Sequence, residues 1–190
     1  MKMSFPAVAL AAALCAVPVV ITAQNAATPL PWAYPLNPPP QANAAPAAPD
    51  TGEHHLPGSG KAFTRKQFTD LFNPPDWFPD DHPAMPEIVA HGRRPEVRAC
   101  GYCHLPNGQG RSENASLAGL SAGYFVQQMA DYRNGLRQSS EPKMGPPSTM
   151  LAVGKAANEE ESKIAAEYFS KLKYKQWIRV VEAKTAPKSP

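Results

Sequence analysis

Apolar residues recur at helical spacing in several places between Thr64 and Lys173, and each run has its own start and stop signals. Thr64-Arg65-Lys66-Gln67 has the form of a capping box, and Phe68, Leu71 and Phe72 follow on one face of a short helix that must stop at Asn73, before Pro74-Pro75. A turn-rich stretch through Trp77, Asp80, Asp81 and Pro83 leads to Pro86, a good first helical residue for Glu87-Ile88-Val89-Ala90-His91-Gly92. Ser121 caps a helix with Ala122, Phe125, Met129 and Tyr132 on its apolar stripe and Gly135 as its stop. Asn158 caps another, with Glu159, Glu160 and Glu161 near its positive end, Ile164, Tyr168 and Leu172 inward, and Lys171 and Lys173 at its close. No segment alternates as a strand. The expected fold class is therefore all-α, with helices joined by long loops.

The N-terminal third has a different pattern. Lys2 precedes an apolar stretch, Val8 to Ile21, interrupted by Pro18 and followed by Thr22 and Ala23. The run is shorter than the roughly 20 apolar residues a bilayer span needs, and its small-residue end suits cleavage between Ala23 and Gln24, so residues 1–23 read as a secretory signal peptide. An uncleaved N-terminal anchor is the runner-up. A lipoprotein reading through Cys15 is weaker, because Leu14 stands where a small residue is usual. Residues 24–60 are rich in Pro, Ala and Asn and cannot bury enough surface to offset their ordering entropy, so they are expected to form an extended linker. Trp32 and Tyr34 are isolated in this tract, and His54-His55 lacks a third spaced ligand and reads as a solvated pair. The remaining expected units are an N-terminal extension with a short helix (61–85), a helical domain (86–175) and a tail (176–190).

Composition agrees with one compact domain plus extended segments: 23 of 190 residues are proline, 43% are hydrophobic and 18% charged. The net charge of +3 is spread along the chain without a basic block, which argues against nucleic acid as a partner. Three cysteines are too few for a disulfide scaffold, and Cys15 lies within the signal. Cys100 and Cys103 are left to explain.

They belong to Cys100-Gly101-Tyr102-Cys103-His104. Two thiols at this spacing match the two vinyl groups of one haem, to form thioethers, and the next residue is an imidazole placed to ligate iron from the same face. At this chain's composition the pattern arises by chance about once in a thousand such chains. A simple disulfide is a competing reading. A zinc half-site needs a second pair of ligands, and a thioredoxin-like pair needs a βαβ context; both are missing. Export supports haem attachment, which occurs outside the bacterial cytoplasm.

From Pro86 to Tyr174 the sequence resembles the small class I c-type cytochromes. Besides the haem motif, the match includes Gly92, the stretch His104-Leu105-Pro106-Asn107-Gly108-Gln109-Gly110, then Leu117-Ala118-Gly119, then Tyr124, Gln128, Asp131, Tyr132 and Gly135, and finally Ala165-Ala166-Glu167-Tyr168-Phe169. The resemblance implies the class I cytochrome c fold of three to five helices, here behind a proline-rich N-terminal extension. In that fold the first and last helices cross, with Gly92 at the crossing, and the haem sits in an apolar cleft with one edge exposed. It also implies a distal methionine about 17 or 18 residues before the aromatic of the last helix. Met150 is eighteen residues before Tyr168 and is favoured; Met144 is twenty-four before it and is the runner-up. Prolines 146 and 147 suit presentation of a thioether from irregular backbone. His82 or His91 ligation is the alternative, although His91 reads as a surface residue. Met129 reads as core packing and Met85 as a surface or docking contact. Many family members have a proline whose carbonyl accepts the proximal histidine's ring N–H; alignment on Leu117-Ala118-Gly119 puts Ala115 in that place.

The expected function is that of an exported, periplasmic, monohaem carrier of single electrons, with one covalently attached haem c, redox proteins as partners and no enzymatic activity of its own. Cys100 and Cys103 are the tethers, His104 the proximal ligand and Met150 the distal one. Two alternatives are a haem subunit of a periplasmic or membrane-bound oxidoreductase complex and a five-coordinate sensor or peroxidase-like protein. The aromatic extension, with Phe68, Phe72, Trp77 and Phe78, is expected to pack as an extra layer or to dock a partner, and Trp177 to Val181 of the tail likewise. Arg133 and Arg137 can pair with haem propionates, but charges at a helix end are more often solvated.

Overall fold

The chain is mostly helical wherever its structure is described, in a computed structural model that covers residues 50–141, 144–176 and 179–185. The expected signal peptide, most of the expected linker, Trp32, Tyr34, Trp177 and the last five residues lie outside the described residues. Within them the order is β1 (Glu53–His55), β2 (Ala62–Thr64), α1 (Arg65–Phe68), a 3-10 turn (Pro79–Asp81), α2 (Glu87–Ala90), α3 (Cys100–His104), α4 (Ala122–Arg133), α5 (Gly145–Ala156) and α6 (Glu159–Ser170).

Side-chain caps start the two main helices. The Ser121 hydroxyl accepts from the Tyr124 amide at 3.2 Å. Asn158 and Glu161 exchange side-chain and backbone bonds, each 2.8 Å, in a full capping box. α4 packs on both α5 and α6, and α2 lies against α3 and α6. Phe169, Val89 and Val97 are completely buried at the centre, with Phe125 stacked on Phe169 at 6.1 Å and Met129 beside them.

Several expectations need correction. The all-α expectation misses a hairpin in which Glu53, His54 and His55 pair antiparallel with Thr64, Phe63 and Ala62, so regular structure begins inside the tract read as linker. Three-residue strands are too short to betray a period of two. His54, whose side chain is 44% exposed, also pairs with Asp50 at 2.8 Å and meets the Phe68 ring edge-on at 5.1 Å. The Thr64–Gln67 capping box forms, yet α1 stops at Phe68, five residues early. There the Thr69 hydroxyl donates to the Arg65 carbonyl and the Asp70 carboxylate accepts from the Phe72 amide, both local bonds that compete with helix. The inner stripe of α6 runs through Ser162, Ala165, Ala166, Tyr168 and Phe169, leaving Ile164 38% exposed. Gly92 has a local backbone role. It ends α2 with φ +66, and a Cβ there would lie 2.2 Å from the Val97 carbonyl oxygen, so glycine is required by the tight return of residues 93–97. Met85 is half-buried and packs against the core.

The extension packs against the rest. The Leu71 carbonyl accepts from the Ala99 amide at 3.0 Å. Arg94 lies over the Phe72 ring at 4.4 Å. The Tyr168 hydroxyl donates to the Pro106 carbonyl at 2.7 Å, with the Pro83 carbonyl at 3.4 Å.

Candidate functional site

α3 is barely more than one turn long and carries the whole Cys-His motif. Ala99 precedes it in non-helical backbone, and Leu105 ends it with φ 62. Helical spacing puts Cys100, Cys103 and His104 on neighbouring positions of one side. Neither cysteine is bridged. Burial pushes the Cys100 thiol up to about 12. It also raises Cys103, against the opposing charges of Arg111 and Arg98. Both thiols are therefore protonated at neutral pH, unlike the thiolate nucleophile of a dithiol redox pair. Among the described residues no three His, Cys, Asp or Glu side chains gather as a metal-binding group, so the zinc reading gains no partner ligands.

His104 is held from one side. Its Nδ1 lies 2.9 Å from the Ala115 carbonyl oxygen, which can only accept, so Nδ1 carries the hydrogen and Nε2 keeps its lone pair. Burial lowers the imidazole's proton affinity, and the Ala115 bond partly opposes that, so the neutral ring with a free Nε2 is favoured near pH 7. The Phe169 ring meets it edge-on at 6.4 Å. The loop after the motif folds back to make this possible. The Gly110 amide donates to the His104 carbonyl at 2.9 Å and the Arg111 amide to the Cys103 carbonyl at 3.1 Å. The returning chain is tied to the loop by the Leu117 and Ala118 amides, which both donate to the Gly108 carbonyl, and by the Ser116 hydroxyl, which does the same at 3.1 Å.

Met150 and Met144 stand in different kinds of backbone. Met150 stands inside regular helix α5, half-buried on the apolar cluster that also receives Cys100, Leu117, Val126 and Val153. Met144 is the one in extended backbone, at the helix's N-cap, outside that cluster. Pro146 and Pro147 occupy the first helical turn, where the missing N–H costs nothing. His82 Nδ1 lies 2.8 Å from the Pro83 carbonyl oxygen, and its buried Nε2 lies 3.1 Å from the Asp76 carboxylate without a hydrogen bond to it. His91 is exposed, with Nδ1 3.4 Å from the Phe72 carbonyl oxygen. The half-buried Arg133 guanidinium donates to the Ala157 carbonyl from Nη2 and Nε at 3.1 and 3.2 Å. Arg137 lies over the Tyr132 ring at 4.8 Å and donates to the Gln128 side chain. Met129 is in the core.

Two residues of the site carry only weak sequence signals. Phe169, seven residues after Ser162 and four after Ala165, falls on the inner stripe of α6. Gly110 closes Gly108-Gln109-Gly110, a spacing that signals a turn.

No family model and no curated protein matches the chain. Among solved structures, the reduced recombinant cytochrome c4 from Pseudomonas stutzeri is 23% identical over 45% of this chain and 45% of that one, with a TM-score of 0.39. The match spans less than half of that protein, and a likeness at this level carries no argument about this one. No helix of the described residues is long and apolar enough to cross a membrane.

Proposed function

We propose that this protein is an exported c-type cytochrome of the class I kind, with one covalently attached haem, which carries single electrons between redox partner proteins. The observation that carries the reading is the side-on restraint of His104: its Nδ1 hydrogen is occupied by the Ala115 carbonyl at 2.9 Å, so Nε2 is left as a ligand atom beside two unbridged thiols. The donor set fits the group. Cys100 and Cys103 would form the thioethers, His104 Nε2 would be the proximal ligand and the Met150 thioether the distal one, with Met144 as runner-up. When bound, the haem supplies an iron that changes oxidation state by one electron. The chain's own part is restraint. Ala115 keeps the imidazole in one tautomer, Phe169 limits its tilt, and the apolar cluster around Cys100 and Met150 excludes water. A soft thioether favours the reduced ion relative to a second imidazole. Fixed ligands let the charge change with little rearrangement, which is what a carrier needs and a substrate-transforming site does not. The leader at residues 1–23 directs the chain to the periplasm.

The test is an optical spectrum of the exported protein, oxidised and reduced, for wild type, Met150→Ala and Met144→Ala, with a haem stain after denaturation. The wild type should retain haem through denaturation, and Cys100→Ala with Cys103→Ala together should lose it. The weak long-wavelength band of the oxidised iron–methionine pair should vanish in Met150→Ala and survive in Met144→Ala. A high-spin wild type that binds carbon monoxide rapidly would replace the carrier reading with a ligand-binding one.

A further inference from the structure

Gly110 lies beside the Ala115 carbonyl that restrains the His104 imidazole. Its amide is bonded to the His104 carbonyl at 2.9 Å, so it is fixed to the end of α3. Its other side faces the returning chain. A Cβ at this position would lie 2.6 Å from the carbonyl oxygens of both Asn114 and Ala115, and 2.8 Å from the Ala115 carbonyl carbon. The Ala115 oxygen is the same atom that accepts from His104 Nδ1. The obstacle is backbone, held by the Ser116 hydroxyl bond to Gly108 and the Leu117 and Ala118 amide bonds to the same carbonyl. It cannot rotate away as a side chain would. The backbone at Gly110 is also left-handed, at φ +78.

We propose that Gly110 is a positioning residue: by carrying no side chain it lets the Ala115 carbonyl close on His104, and so sets the strength of the Nδ1–H···O bond. The proposal rests on the haem reading for its consequence. A firmly held Nδ1 proton makes Nε2 a better electron donor and stabilises the oxidised iron, so a displaced Ala115 carbonyl should raise the midpoint potential.

The strained backbone supplies a matched control. Gly135 is also left-handed, at φ +72, and a Cβ there would meet nothing within 4 Å. Gly110→Ala and Gly135→Ala therefore share the cost of a side chain at positive φ and differ in what that side chain strikes. The full-length, haem-loaded protein is compared as wild type, Gly110→Ala, Gly135→Ala and Ser116→Ala. Two quantities are read: the midpoint potential and the solvent-exchange rate of the His104 Nδ1 proton, by NMR of the reduced state. Gly110→Ala should raise the potential and speed the exchange. Gly135→Ala should change neither while losing stability, and Ser116→Ala should shift both in the direction of Gly110→Ala by less. Equal values for Gly110→Ala and Gly135→Ala overturn the proposal. If Gly110→Ala does not fold, Ser116→Ala decides, and an unchanged potential and exchange rate there overturn it. A wild type without covalent haem would defeat the functional reading separately, and the ring-proton exchange across the same variants would still decide whether Gly110 governs the bond.

Discussion

A single hydroxyl joins three parts of the molecule. Tyr168 on α6 donates to the carbonyl of Pro106, two residues past His104, and approaches the carbonyl of Pro83 in the extension. Tyr168→Phe removes the donor and leaves the Pro106 oxygen without it, and should cost about 1 kcal/mol of unfolding free energy, measured by urea titration. The dependence on pH separates this from lost packing. Burial, helped by the Asp76 charge, raises the phenol from 10.0 to about 12. A raised value in the folded state means that the protonated phenol is favoured by folding. Its contribution is complete below pH 10 and is lost as pH climbs toward 12. The stability gap between wild type and Tyr168→Phe should therefore narrow over that interval, and a constant gap would assign the effect to packing alone.

At the scale of elements, α5 turns on one close approach. A Cβ at Gly154 would lie 2.5 Å from the Tyr132 Cβ, so the glycine allows α5 to lie directly on α4. Gly154→Ala should force the helices apart at a cost of about 1–3 kcal/mol, seen as a lower denaturation midpoint. The cost should shrink in a Tyr132→Gly background, where the opposing Cβ itself is gone, and strict additivity of the two changes would refute the contact. Much of this level was legible beforehand. Ser121 and Asn158 announced α4 and α6 because a cap is local chemistry, written in the residues that perform it. α5 was hidden behind Pro146-Pro147, which mark a loop in most contexts and here fill the first turn of a helix. The hairpin was invisible because strand pairing joins Glu53 to Thr64 without either strand being long enough to show a pattern. The site divides in the same way. Cys100, Cys103 and His104 are adjacent in sequence and were readable at once. Ala115 was placed through the family resemblance, whereas the opposition of Gly110 to its carbonyl appears only when the loop closes on itself.

For the whole molecule, the extension is a working part of the fold. The Phe63 and Trp77 rings meet edge-on at 4.8 Å, the Ser59 hydroxyl donates to the Trp77 carbonyl at 2.6 Å, and Leu71 accepts from Ala99, the residue before Cys100. Trp77→Ala should accelerate amide exchange at Ala99, by loosening the segment that holds Leu71 in place; unchanged exchange would mean that Leu71 is anchored independently. The exposed Lys175–Asp81 pair, 2.9 Å apart, contributes less than about 1 kcal/mol and does not hold the layer alone. The bond from Tyr168 to Pro106 spans 62 residues, and α6 also brings Phe169 to the His104 ring. A chain made from its N-terminus presents the Cys100–His104 turn well before it presents α6. For that interval His104 lacks the Phe169 ring that later meets it edge-on. The architecture thus contains a delay: residues 100–104 are made and reachable first, and the helix that sets Phe169 against the imidazole arrives afterwards.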